Sequence, residues 1–241
     1  MRFQASIELD KPELPRDFRR MFLSLLKTAL TEVGGDLLRG KYFGTSEIKP
    51  FAVGIYLPRA KFSDTVMMAE PFIRLTFSTD TFPVFCDLYN AFNGIRGKKV
   101  TILSTEFTVR SITMVNSRPV DRSEIVAKFD SPLAVRLHNE YYNTDKYYTC
   151  EDEGFEQHLR KTVAAQLERL GKDPALAETL HVIDVSSARK TVLFHYGEGI
   201  PVTIGRIRLS GDIGLLEWLH QVGIGSRRSA GFGLFDWEVG A

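Results

Sequence analysis

Near its carboxy end the chain reads Gly223-Ile224-Gly225-Ser226-Arg227-Arg228-Ser229-Ala230-Gly231-Phe232-Gly233. Two Gly-hydrophobic-Gly steps bracket a stretch holding two arginines and two serines. Glycine accepts positive φ and lets another backbone come close. Such a loop can offer a row of N–H donors to a phosphate chain, and arginine adds charge-assisted, bidentate contacts. The predicted chemistry is phosphate binding by Gly223, Gly225, Ser226, Arg227, Arg228, Gly231 and Gly233. No Gly-Lys-Ser/Thr follows, so this is not a nucleotide P-loop. It also lies after a predicted helix and before a predicted strand, which excludes a dinucleotide fingerprint. Arg189-Lys190, Arg206 with Arg208, and Arg19-Arg20 extend the candidate basic track. The sequence holds no His-Glu-x-x-His and no Cys-x-x-Cys, so no metal is expected.

The elements that must hold this loop follow from periodicity. Residues 2–9 alternate polar and apolar as a strand does. From Asp17 to Thr31, apolar Phe18, Met21, Phe22, Leu25, Leu26, Ala29 and Leu30 recur at helical spacing, and Gly34-Gly35 is expected to stop the helix. Lys27 interrupts that apolar face. Strands are predicted at 50–57 and 72–78, a helix over 79–93, and one long strand or a hairpin over 99–115. The second half repeats the scheme: strands at 124–129 and 133–137, a helix over 155–170, strands at 182–196 and 202–209, a helix over 213–222 and a last strand at 231–239. Tyr141-Tyr142 and Tyr147-Tyr148 flank Asn143–Lys146 and read as a hairpin or loop with exposed rings. The expected architecture is α+β, two tandem ferredoxin-like (β-α-β-β-α-β, RRM-like) domains, at 1–118 and 119–241.

The chain has 241 residues, with Lys+Arg 31 against Asp+Glu 30, a formal charge of +1. A polyanionic partner must then be met by a local basic patch. No apolar run approaches the ~20 residues of a membrane span, so no membrane partner is expected. Met1–Glu8 carries no signal-peptide core, and Cys86 and Cys150 are too few for a disulfide scaffold. Both fit a cytoplasmic protein.

The glycine loop resembles that of the repeat-associated mysterious protein superfamily, and within it the chain resembles the CRISPR repeat-processing endoribonucleases. Lys49-Pro50-Phe51-Ala52-Val53, Ser131-Pro132-Leu133-Ala134-Val135, Gly205-Arg206-Ile207 and Gly231-Phe232-Gly233-Leu234 are similar to family motifs, in family order over both halves. The resemblance implies tandem ferredoxin-like domains, no cofactor, and cutting of precursor guide RNA for antiviral defence. The 2′-hydroxyl would attack the phosphorus, leaving a 2′,3′-cyclic phosphate and a 5′-hydroxyl. Many relatives place a histidine shortly before the Lys-Pro-Phe motif, yet Arg39–Lys49 contains none. Lys27 and Lys49 match basic catalytic positions instead, and Tyr42 is a candidate hydroxyl. CRISPR repeat RNA is the expected partner, bound by its backbone along the glycine loop, Arg206, Arg189 and Lys190. A homodimer is a further expectation. The alternatives are a repeat-RNA-binding protein that does not cut, and a subunit of a CRISPR effector complex.

Overall fold

The computed structural model describes residues 1–139 and 141–239. The first half runs β1 (Arg2–Leu9), β2 (Glu13–Pro15), α1 (Arg19–Phe43), β3 (Ala52–Tyr56), β4 (Lys61–Phe62), β5 (Thr65–Met67), β6 (Phe72–Ser78), α2 (Phe82–Gly94), β7 (Lys99–Ile102) and β8 (Thr105–Val115). The second runs β9 (Glu124–Phe129), β10 (Val135–Asn139), β11 (Thr144–Tyr148), α3 (Phe155–Arg169), β12 (His181–Asp184), β13 (Ala188–His195), β14 (Glu198–Ser210), α4 (Ile213–Val222) and β15 (Phe235–Glu238).

The main sheets are ordered β3-β6-β1-β8-β7 and β12-β14-β9-β15, all neighbours antiparallel. In each, the strand that opens the unit lies between its third and fourth principal strands. That order, with two helices on one face, is the ferredoxin-like fold, so the chain is an α+β protein of two such folds in tandem. One apolar core gathers residues from Phe3 to Val109, with Met21, Leu25, Leu30, Leu88 and Phe92 facing the first sheet. The other runs from Val120 to Trp237, with Leu159, Val163, Leu216 and Leu219 facing the second. The helical faces read from the sequence are the buried ones, because only a stripe repeating every three to four residues can cover a sheet.

Three predicted boundaries move. Gly34-Gly35 breaks α1 (Gly35 φ 61, ψ −162) without ending it. Helix resumes to Phe43 because Leu38 and Tyr42 give the new turns apolar surface to bury. Of the two readings of 99–115, the hairpin is the one that forms, turning at Leu103 with φ 55. Residues 182–196 divide into β12 and β13. The last strand begins only at Phe235, because Gly231–Leu234 belongs to the glycine loop.

The halves meet at the C-terminus of α4. Four successive carbonyls there, the kind a helix end leaves without intrahelical partners, are each met by a side chain. Arg2 donates to His220 O at 2.5 Å, Ser78 Oγ to Gln221 O at 2.5 Å, Arg228 to Val222 O at 2.6 Å and Gln166 to Gly223 O at 2.9 Å. Arg2 also donates to Phe235 O at 2.7 Å, and Trp218 Nε1 to Asp80 at 3.0 Å. Two guanidiniums at a helix C-terminus also suit the sign of its dipole.

Candidate nucleic-acid interface

The glycine loop folds back on itself. Ile224 N–H donates to Gly233 O at 2.9 Å, Ser226 N–H to Ala134 O at 2.8 Å, and Gly233 N–H to Pro132 O at 2.9 Å. A Cβ on Gly233 (φ +68) would lie 1.9 Å from Ile224 O, and one on Gly225 (φ +90) 2.7 Å from Ala134 O. The glycines are thus required by the chain's own crossing over the start of β10. The expectation of an open row of amides is corrected, since several of those N–H groups are taken up internally. Gly223 and Gly231 also have positive φ, and their Cβ positions are blocked by Ala52 and Ile55 of the first half.

The paired arginines diverge. Arg227 sits in the left-handed region (φ 58) and reaches outward: Nε donates to Tyr147 Oη at 2.9 Å and a terminal nitrogen to Asp145 at 3.2 Å. Arg228 turns inward, is 3% exposed, and donates to Val222 O and to Lys49 O at 3.1 Å. Burial pushes its pKa down to about 9. The expectation that Arg228 grips phosphate is therefore corrected: its donors hold the loop to α4 and to the segment at Lys49 that leads into β3.

Between the halves, on the side of the loop, lies a cleft of about 480 Å³. Phe43, Glu47 and Lys49 line it from the first half. Arg136 and His138 of β10, His158, Lys161 and Arg169 of α3, and Ser226 and Arg227 line it from the second. Lys27 Nζ lies 5.0 Å and Lys49 Nζ 5.9 Å from the centroid of Phe43. Lys49 also donates to Thr45 O at 3.0 Å and Glu47 O at 2.6 Å. Partial burial, followed by the charge of Lys27, lowers the Lys49 pKa against the opposing pull of Glu47. Lys27 and Lys49 are thus brought together on Phe43, and Lys49 and Phe43 line the cleft.

Tyr42 is not part of it. Its ring is 4% exposed, packs edge-on against Phe51, and its hydroxyl donates to Asp87 at 2.7 Å. Burial, then the Asp87 carboxylate, raise its pKa. The expectation of a catalytic hydroxyl there is corrected, since α1 turns residue 42 toward α2.

Opposite β10, Asp145 of β11 gathers four donors: Arg136 at 3.1 Å, His138 Nδ1 at 2.8 Å, Tyr147 Oη at 3.3 Å and Arg227. Partial burial works to raise this carboxyl. The hydrogen bonds from His138 and Arg136 and the charges of Arg136 and Arg227 outweigh it, and hold its pKa below the usual carboxylate range. A two-residue period explains the gathering: Arg136 and His138 share one face of β10, and Tyr147 and Asp145 stand opposite them. That period was available in the sequence, but the register was not.

A second cleft, of about 720 Å³, opens between the two sheets. Arg16, Arg59, Arg74 and Arg189 line it with Tyr56, Phe62 and Phe194, and Asp130 is the one acid among its lining residues. Arg16 lies 3.5 Å over Phe194 and Arg74 4.4 Å over Tyr56. Of the sequence candidates, Arg189 and the buried Arg19 are here. Arg206 pairs with Glu238 at 3.3 Å, and Lys190 is exposed; neither lines a cleft. Arg16, Arg59 and Arg74 were missed because they are scattered over a strand, a turn and a pre-helical segment, with no common motif.

The fold resembles several solved structures. A Cas6-related protein from Pyrococcus furiosus superposes with a TM-score of 0.81 at 16% identity, over 99% of this chain and 98% of that one. A structure described as a RAMP protein binding different RNA substrates gives 0.78 at 18% identity, over 99% of each chain. A Cas6 product complex gives 0.71 at 16% identity, over 99% of this chain and 100% of that one. At such identities the likeness concerns the fold. No curated protein sequence matches the chain. The family described as CRISPR associated protein Cas6, C-terminal, matches residues 115–237. That stretch is just over half of the chain and contains the glycine loop and the Asp145 hairpin, and the chain therefore belongs to the Cas6 family.

Proposed function

We propose that this protein cuts precursor CRISPR RNA within its repeats to release guide RNAs, by a metal-independent transesterification. The 2′-oxygen attacks the phosphorus and the 5′-oxygen leaves, giving 2′,3′-cyclic phosphate and 5′-hydroxyl ends. The observation that carries the reading is the convergence of Lys27 and Lys49 on Phe43 beside a cleft walled by the glycine loop. Two fixed ammonium groups stabilise the negative charge that builds on a phosphorane. Burial and a neighbouring cation make Lys49 a stronger acid than an ordinary lysine, which suits it to protonate the leaving oxygen. Neighbours described as Cas6 product complexes, and one described as binding RNA substrates, support the same partner for this chain.

The RNA backbone is held at Arg227, Arg136 and Lys161 in the first cleft, and at Arg16, Arg59, Arg74 and Arg189 in the second. Tyr56 and Phe62 offer faces on which bases can stack. The division into domains after residue 118 belongs to the same reading, since the two cores separate between Val109 and Val120.

The test is a labelled CRISPR repeat RNA incubated with the protein in EDTA. One defined cut, abolished by a 2′-deoxy substitution at the cut nucleotide, is the expected result. Intact RNA in a shifted complex would favour the second reading, a repeat-RNA-binding protein that does not cut. The specific observation on that side is that residues 39–49 contain no histidine.

A further inference from the structure

We propose that His138, fixed in place by Asp145, is the general base of this cleavage, brought from the second half to a cleft whose first-half wall has no histidine. This rests on the cleavage reading above.

The five histidines are not equivalent. His181 is exposed beside Glu156 at 3.3 Å and outside the cleft. His220 is enclosed in α4, 3.3 Å from Asp236 and 3.8 Å from Glu217. The side chain of His195 is 1% exposed, with Nδ1 lacking a hydrogen-bond partner. His158 lies flat on Tyr148, centroids 3.5 Å apart, with Nδ1 buried and unpartnered. A ring stacked in this way has no group to set its tautomer.

His158 and His195 also line the cleft, but of the three only His138 has a carboxylate hydrogen-bonded to its ring. Its side chain is 38% exposed and lines the cleft that Lys49 lines. Its Nδ1 lies 2.8 Å from Asp145 Oδ1. An ionised carboxylate can only accept, so Nδ1 carries the hydrogen. In the neutral ring the lone pair is then on Nε2, which has no partner among the described residues. A carboxylate that fixes the tautomer and orientation of an imidazole is the arrangement a histidine base needs. The fixing is rigid, because His138 and Asp145 are directly opposed in the β10–β11 register. Asp145 is in turn held by Arg136 and Tyr147 of the same hairpin and by Arg227 of the glycine loop. The other charged or titratable groups that share the cleft with His138 are Arg136 on its own strand, His158, Lys161 and Arg169 on α3, His195 and Tyr196 at the end of β13, Arg227 and Arg228 of the glycine loop, and Glu47 and Lys49 across it.

The step balances. Nε2 of His138 takes the proton of the 2′-hydroxyl as its oxygen forms the bond to phosphorus. The P–O5′ bond breaks, and O5′ takes a proton from the Lys49 ammonium. His138 is left as imidazolium and Lys49 as amine, and exchange with solvent restores both. Asp145 is a positioning residue.

The experiment measures single-turnover cleavage of labelled repeat RNA, at saturating protein and in EDTA, from about pH 5 to about pH 8, where imidazoles change charge. The full chain is compared with His138→Ala, Asp145→Asn and the control His181→Ala. The unsubstituted rate is expected to rise with pH. His138→Ala is expected to be ~10²–10⁴-fold slower, flat with pH, and accelerated by added imidazole. Asp145→Asn is expected to lose ~10–100-fold and His181→Ala nothing. A His138→Ala protein that cuts at the full rate overturns the inference alone. So does a slow one that keeps the original pH profile and ignores imidazole. An unsubstituted protein that binds the RNA without cutting it overturns the cleavage reading, and this inference with it.

Discussion

Arg227 and Arg228 are adjacent, chemically identical and expected to behave oppositely. Arg228→Met removes a guanidinium whose two hydrogen bonds, to Val222 O and Lys49 O, are made in the interior. Hydrogen bonds involving a charged group are worth ~1.5–3 kcal/mol each. Methionine fills much of the vacated volume, which keeps the cavity term small. Against the loss stands the relief of no longer burying a charge. The net expectation is ~2–4 kcal/mol of lost stability. Arg227→Ala removes a partly exposed pair with Asp145, worth ~0–1 kcal/mol. Urea titration followed by Trp218 and Trp237 fluorescence measures both. Because Lys49 O is one of the acceptors, Arg228→Met should also slow cleavage while leaving the salt dependence of RNA binding unchanged. Arg227→Ala should weaken binding and flatten that dependence, by ~0.7 in slope for each phosphate of a single strand that is no longer neutralised. The reasoning is refuted if Arg228→Met unfolds at the same urea concentration as the parent, or if Arg227→Ala is the less stable of the two.

Three further outcomes follow from the site. Lys27→Ala and Lys49→Ala should each slow single-turnover cleavage by ~10²–10³-fold, the cost of one transition-state donor, with RNA affinity in gel-shift titration largely kept. Tyr42→Phe should leave the cleavage rate within a few-fold and lower stability by ~1 kcal/mol, the net worth of one hydrogen bond, since its hydroxyl bonds only Asp87. His195 is held neutral: burial first, then Arg227, Arg19 and Arg20, lower its pKa to about 3, against ~6.5 in the unfolded chain. Between those values the unfolded state binds the extra proton, so acid favours unfolding by ~1.4 kcal/mol per pH unit for this group. Urea midpoints measured from pH 7 to pH 4 should fall less steeply in His195→Gln than in the parent.

The order of elements was legible because its periods are strong. The stripe from Phe18 to Leu30, the alternation of Arg2–Leu9 and the turn glycines fix what kind of element each is. What was not legible depends on which residues meet. Whether an arginine in a glycine-rich turn faces water or the interior is set by one backbone angle, the left-handed φ of Arg227, and two identical side chains give no clue to it. Arg2 reads as a strand residue, and only the docked halves show it seated on α4. His138 gives no signal in the sequence, because its carboxylate stands across a hairpin whose register the sequence leaves open. The second cleft draws on Arg16, Arg59, Arg74 and Arg189, spread over more than half of the chain's length.

The ring of donors around the end of α4 acts as a keystone. Its members are residues 2, 78, 166 and 228, two from each half. The set is complete only when the whole chain has come together. Cutting the protein between its halves would leave enclosed carbonyls with nothing to bond. The molecule should therefore melt in a single transition, and neither piece should refold alone to the shape it has here.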